Sequence, residues 1–300
     1  MRLKMRAATL LAGLVWFCFT LLVMGLPGTR AGSTEIFYDQ GKIALRAPAG
    51  SGYEAHYTYG EGQQEYNFAL LSDPAKARRG EKYQRFELRP GDCFPMDGWN
   101  DCEMDRERFE MSSRPRQKPA GRQCYGYSLM LADDFRDVHP TNTDLGQLHQ
   151  TGGPSGSAGG LKSFPPLVQI GAKRGKLVFK WHRLTGRPDK VRDETVERTL
   201  IRLKQMKSQW TDISFCLDYE EKHIKAWVNG VEKFTIKENP VNFMPQETYF
   251  KYGIYRSFVS RYQKRAGESP RQVVFYDEVR RGPSLEAVDI HKNPSLPPLD

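Results

Sequence analysis

Much of the chain reads in twos. From Tyr83 onward, apolar and polar residues alternate through short runs: YQRFELR (Tyr83–Arg89), CYGYSLMLA (Cys124–Ala132), LVFKWH (Leu177–His182), DISFCLDY (Asp212–Tyr219), YFKYGIYR (Tyr249–Arg256) and RQVVFYDEVRRG (Arg271–Gly282). Alternation of this period puts successive side chains on opposite faces of a β-strand. HIKAWVNG (His223–Gly230) ends in Asn-Gly, a hairpin turn. Many short strands broken by Gly, Pro and Asp clusters predict an all-β fold, a jelly-roll sandwich of two antiparallel sheets. One stretch, Asp193–Ser208, departs from the pattern and reads as a short helix or a charged loop. The run TGGPSGSAGGLKSFPP (Thr151–Pro166) has the length and glycine content of a lid, and equally those of a plain surface loop.

The first residues follow another rule. Arg2, Lys4 and Arg6 precede an apolar run, Ala7–Leu26, that ends at Pro27-Gly28 and a Thr29-Arg30-Ala31 site. This predicts a secretory signal, residues 1–31, ahead of one domain, residues 32–300. The alternative is a retained anchor, because about 20 apolar residues can span a bilayer. Export would place the protein outside the cell or in a periplasm, where cysteines oxidise. Cys93, Cys102, Cys124 and Cys216 then permit three pairings; Cys93–Cys102, bracketing a loop-like CFPMDGWNDC, is preferred, with the other two as a second bridge or buried thiols.

Charge changes the picture modestly. The formal net charge is +9, but 41 basic against 36 acidic residues leave +5 once residues 1–31 are removed. A basic exported protein suits an acidic polysaccharide, an anionic membrane or nucleic acid. Zinc-finger spacing and aromatic-Gly stacking motifs are absent, so no nucleic-acid partner is expected.

Sorting polar residues by strand parity exposes the chemistry. Tyr249, Lys251, Gly253 and Tyr255 share one face, and Phe250, Tyr252 and Ile254 the other. Gly253 reads as a gap in which a ligand could lie on the sheet. Gln147 and His149 share a face opposite Leu148. In DRERFEM, Arg106, Arg108 and Glu110 share a face; in YQRFELR, so do Arg85, Glu87 and Arg89. Alternating Arg and Glu are also the common dress of a salt-bridged sheet surface. Taken together, guanidiniums, an amide, an imidazole, an ammonium and phenols suit an anionic substrate whose carboxylate is neutralised while a proton is removed nearby.

Arg-x-Glu, then Gln-x-His, then Tyr-Phe-Lys-x-Gly-x-Tyr resembles, in order, the signature strands of jelly-roll polysaccharide lyases. Among these are the alginate lyases, with motifs R-[TS]-E-L-R, Q-[IV]-H and Y-F-K-A-G-x-Y-x-Q. The context from FELRPGDC to FYDEVRRG, Tyr83 to Gly282, is similar to the heparin lyase I and glucuronan lyase branch. The last motif ends YRS in place of YxQ, so sugar selectivity does not carry over. Both RFELR and RERFEM fit the Arg-x-Glu strand; RERFEM precedes YGYSLML directly and is preferred, with Arg85, Glu87 and Arg89 as second choice.

The resemblance implies a concanavalin A-like jelly roll and β-elimination at a uronic acid of glucuronan, alginate or a heparin-like chain. His149 and Tyr255 would be catalytic. Arg108, Gln147, Lys251, Tyr249, Arg106 and Glu110 would bind substrate, Glu110 by orienting Arg108. No metal or organic cofactor is required, though a structural Ca2+ is compatible with the scheme. The implied partner is an anionic polysaccharide, and the mature protein is expected to be a monomer outside the membrane. Two other readings compete. EMDRE mimics the E-x-D-x-E strand of jelly-roll glycoside hydrolases, with Glu103 and Glu107 as the carboxylates. The same fold also serves carbohydrate-binding proteins without catalysis.

Overall fold

The computed structural model describes residues 64–96, 99–113, 115–151, 164–187 and 189–299, together with the backbone of three upstream strands. The expected signal, residues 1–31, and most of the glycine-rich loop, residues 152–163, lie outside the described residues. In chain order the strands are β1 (Glu35–Asp39), β2 (Lys42–Arg46), β3 (Tyr53–Ala55), β4 (Phe68–Ser72), β5 (Lys82–Leu88), β6 (Pro95–Met96), β7 (Trp99–Asn100), β8 (Arg106–Ser113) and β9 (Arg122–Leu131). They continue as β10 (Asn142–Thr151), β11 (Val168–Lys173), β12 (Lys176–Arg187), β13 (Lys190–Arg202), β14 (Thr211–Asp218), β15 (His223–Val228), β16 (Val231–Ile236), β17 (Glu247–Ser257) and β18 (Gln272–Gly282).

Two antiparallel seven-stranded sheets form, in the orders β13-β12-β11-β10-β17-β8-β3 and β16-β15-β14-β9-β18-β5-β4. Their facing sides hold the core. Phe109, Leu148, Ile170, Trp181, Phe250 and Tyr252 from the first sheet meet Phe86, Tyr125, Tyr127, Phe215 and Tyr276 from the second. Phe250 lies between Tyr125 and Tyr127, with ring centres 5.3 and 5.6 Å away. Tyr252 sits 5.1 Å from Tyr276, so the apolar face of YFKYGIYR anchors β17 in the middle of the sandwich. Its polar face therefore points outward from the first sheet, as strand parity requires.

Asp193–Ser208 is neither helix nor loop for most of its length. Lys190–Arg202 is a 13-residue strand on the sheet edge, followed by a single 3-10 turn at Leu203–Gln205. Val196 and Leu200, four apart, mimic a helical stripe, but Thr195, Val196, Thr199 and Ile201 are β-branched and favour a strand. Its charged residues, among them Arg192, Glu194, Glu197 and Arg198, guard an exposed edge against pairing with other chains. Among the described residues the one α-helix, α1 (Ser260–Ala266), lies elsewhere, held at its start by Asp105, whose carboxylate accepts from Ser260 N and Oγ at 2.8 Å each.

Both pairs of cysteines are bridged, Cys93–Cys102 and Cys124–Cys216. The second bridge joins directly opposed positions of β9 and β14. No helix among the described residues is long and apolar enough to cross a membrane.

Candidate active site

The floor of the site is built by three neighbouring strands, β10, β17 and β8. Register sets the order along it: His149 opposes Tyr249, Gln147 opposes Lys251, Gly253 opposes Glu110, and Tyr255 opposes Arg108. The register between β10 and β17 shifts between Asp144 and Gln147: Tyr252, Gly253 and Ile254 of β17 lie against only Leu145 and Gly146 of β10, so Asp144 opposes Tyr255 although Gln147 opposes Lys251. The second sheet secures both irregular points, because the Tyr276 hydroxyl reaches Leu145 O at 2.6 Å and Gly253 O at 2.8 Å. Gly253 is not the gap expected for a sugar. Its φ is +133°, and a Cβ there would lie 2.3 Å from Phe109 O and 2.8 Å from Glu110 Cα. The glycine lets β8 approach β17 closely, and that approach brings Arg108 over Tyr255.

Beneath the surface the charges are paired. Arg108 donates two hydrogen bonds to the fully buried Asp101, at 2.6 and 2.5 Å, while its remaining Nη lies 3.7 Å from Glu110. Glu110 takes the Lys251 ammonium at 2.8 Å and the Gln147 amide at 2.6 Å. Burial pushes the Lys251 pKa below the ordinary lysine value, and Glu110 opposes that shift. The Tyr255 ring lies under the Arg108 guanidinium, 4.2 Å away, with the Lys251 ammonium 5.8 Å from its centre. Burial raises the phenol's pKa and the cations of Arg108 and Arg106 pull it back, leaving it above the usual value and protonated at neutral pH. His149 stacks on Tyr249 at 5.3 Å. Burial and the nearby Lys251 push its pKa down to about 3, so the ring is neutral.

Arg108, Gln147, His149, Tyr249, Lys251 and Tyr255 line one cleft of about 630 Å³ on the outer face of the first sheet. A family model for polysaccharide lyases matches residues 51–280. The chain belongs to the polysaccharide lyase family. The lyase is similar in fold to the endo-β-1,4-glucuronan lyase of the fungus Trichoderma reesei, with a TM-score of 0.59 and 16% identity over 79% of this chain and 96% of that one. An alginate lyase from Pseudomonas aeruginosa aligns with a TM-score of 0.46 and 18% identity over 73% of this chain and 86% of that one. No curated protein sequence matches the lyase.

The lyase brings together Arg106, Arg108, Gln147, His149, Tyr249, Lys251 and Tyr255 on the cleft lining, with Glu110 just beneath. Arg106 lies against Phe258 at the mouth, 4.2 Å from the ring. The second-choice strand goes elsewhere. Arg85 and Glu87 belong to β5 in the other sheet and Arg89 follows its end; Glu87 pairs with both arginines on the face away from the core. Glu103 and Glu107 do not share a strand face either. Glu103 lies in an exposed turn before β8, and Glu107 points away from the cleft to Arg256 at 3.1 Å and the backbone N–H of Gly91 at 2.7 Å.

Several residues of the lining and of the layer beneath it carried no sequence signal strong enough to find them. Asp101 and Trp99 come from the loop bracketed by Cys93 and Cys102, and the Trp99 indole donates to Asp101 at 2.7 Å. On the opposite wall His182 reaches Asp193 at 2.8 Å and Gln169 at 2.7 Å, and Gln169 donates to Asp144 at 2.5 Å. Burial raises the Asp144 pKa to about 7. Parity within LVFKWH would have put His182 beside Lys180 on the cleft face; nothing in the sequence pairs it with β13. Phe164, Pro165 and Pro166, the last residues of the glycine-rich loop, complete the lining.

Proposed function

We propose that the lyase cleaves a uronic-acid-containing polysaccharide by β-elimination. A base takes the C5 proton, the C4–O4 bond breaks, a C4=C5 double bond forms, and the departing O4 receives a proton. The C5 proton is hardly acidic beside a charged carboxylate, so that charge must be neutralised as the enolate develops. Gln147 has a second N–H beyond the one on Glu110, and Lys251 lies directly opposite on β17. A uronate carboxylate seated over this pair would stand between His149 and Tyr255. Its negative charge would also offset the cations that depress His149 and raise that pKa toward the working range of a base. Neutral His149 takes the C5 proton, and Tyr255, which holds its own proton, delivers it to O4. Arg108 stabilises the transient phenolate from 4.2 Å.

The observation that carries this reading is the charge of the lining. Among the described lining residues Asp193 is the one carboxylate, and it is tied to His182. Hydrolysis by two flanking carboxylates has no pair to work with there. The scheme asks for no metal or organic cofactor, so a chelator is expected to leave the rate unchanged. The two disulfides support an oxidising compartment, and with it the export expected from residues 1–31.

The test is ultraviolet absorbance from unsaturated uronate ends on glucuronan, alginate and heparin. One polymer should give a rise, and Tyr255→Phe or His149→Ala should lower kcat by about 10²–10⁴-fold while binding persists. New reducing ends without unsaturation would replace elimination with hydrolysis.

A further inference from the structure

A second concavity, of about 550 Å³, opens at the end of the β11–β12 hairpin, apart from the catalytic cleft. Arg174, Lys176, Arg202, Lys204 and Lys207 line it, with Asp137 as its one acid. Asp137 is already committed, since its two carboxylate oxygens accept the backbone N–H groups of Gly175 at 2.6 Å and His139 at 3.0 Å. Among the described residues no carboxylate lies within ion-pair distance of Lys176, Arg202 or Lys204.

The strand register makes this cluster costly in isolation. Lys173 opposes Lys176 on β11 and β12, and Lys176 opposes Arg202 on β12 and β13, giving three cations side by side. Like charges directly across a ladder repel. Only Lys173 has its own acid, Glu197 at 2.7 Å. A polyanion laid over Lys176 and Arg202 would relieve the repulsion.

A series of neighbouring residues links the groove to the cleft. A small recess lined by Asn142, Asp144, Gln169, Lys173 and Lys180 shares Asn142, Gln169 and Lys180 with the cleft and reaches Lys173, the neighbour of Lys176. The same sheet face therefore carries positive charge from the site of bond cleavage to the hairpin end.

We propose that this basic groove is a second binding site for the acidic polysaccharide, holding a stretch of the polymer outside the cleft by charge. The proposal rests on the reading of the substrate as a uronate polymer. A long chain fits it better than a compact anion, because the cations are spread over two strands and the turn that follows β13. Its consequence is length dependence: the groove lowers KM for polymer and does nothing for an oligosaccharide short enough to occupy the cleft alone.

The experiment compares wild type with the combined variant Lys176→Glu/Arg202→Glu/Lys204→Glu, and with the milder Lys176→Gln/Arg202→Gln/Lys204→Gln in case charge reversal impairs folding. KM and kcat are measured on polyglucuronate and alginate and on their short oligosaccharides, and retardation is measured in gels containing the same polymers. KM on the cleaved polymer should rise about tenfold, the apparent loss of one well-placed charged contact. Added salt should shrink the difference, and the short-oligosaccharide constants should not move. Equal polymer KM and equal retardation would overturn the proposal. So would a parallel loss on polymer and oligosaccharide, or a loss confined to anionic vesicles or duplex DNA run alongside. Gel retardation needs no turnover. If wild type releases no unsaturated ends yet is retarded through these residues, the elimination chemistry fails and the groove stands.

Discussion

Lys251 holds a charge in a place that disfavours charge. It is 2% exposed, and Glu110 at 2.8 Å is the acid that keeps its ammonium tolerable. Removing one partner of a buried pair typically costs about 3–5 kcal/mol, because the other is left uncompensated. Glu110→Gln should therefore lower the melting temperature clearly and reduce turnover, since the new amide offers one acceptor oxygen where Lys251 and Gln147 each had their own. A variant that melts with wild type would show that Glu110 is not the counter-ion. Two other residues respond to pH with opposite signs. The folded pKa of His149, about 3, lies below its ordinary value of 6.5, so its stabilising contribution is complete above the latter and is lost as pH falls toward the former. Its imidazole NMR signals should show no titration between about pH 5 and 8. The folded pKa of Asp144, about 7, lies above its ordinary 3.8, so its contribution is complete at low pH and is lost as pH rises through the folded value. Asp144→Asn should gain in melting temperature relative to wild type between about pH 4 and pH 8. Arg108, Gln147, His149, Lys251 and Tyr255 were legible from parity, because each lies on a strand whose alternation holds at that position. Asp101 was not, because a loop has no period to read.

At the scale of elements, the site depends on two departures from regular β structure. An extra residue in β17 shifts its register against β10 between Asp144 and Gln147, and Gly253 allows β8 to close on β17. Alternation alone carries neither feature, and the unaided reading of Gly253 as a gap in the floor followed from treating β17 as ideal. Its role becomes visible only against the backbone of the neighbouring strand. Gly253→Ala would place a methyl within 2.3 Å of Phe109 O in a conformation that L-residues avoid. The strands must separate, which lifts Arg108 from Tyr255. The expected result is a lower melting temperature together with a fall in kcat larger than any change in KM. Unchanged kinetics would show that the close approach does not position the pair. The edge strand β13 was hidden for a related reason. Its charges serve the sheet edge, and its apolar residues recur at a spacing that fits a helix as well as a strand. Once β12 supplies a partner, the β-branched residues and the ladder decide the outcome.

Across the whole molecule the two disulfides sit at different levels of the design, and removing each should fail differently. Cys124–Cys216 ties neighbouring strands of the second sheet across a sequence separation of 92 residues. Closing so long a segment restricts the unfolded chain, and such bridges are typically worth about 2–4 kcal/mol. Cys93–Cys102, with a separation of 9, restricts it much less. It does enclose Trp99, which lines the cleft, and Asp101, which accepts from Trp99 and holds Arg108 at 2.6 and 2.5 Å. Cys124→Ala/Cys216→Ala should therefore lower the melting temperature strongly and leave the kinetics of the surviving folded protein near wild type. Cys93→Ala/Cys102→Ala should melt closer to wild type and lose turnover, as Asp101 and the arginine it anchors gain freedom above Tyr255. Thermal melts and kinetics on both double variants read the two effects separately. Equal losses of stability and turnover in both would mean that the short bridge serves the fold as a whole and not the anchoring of Arg108.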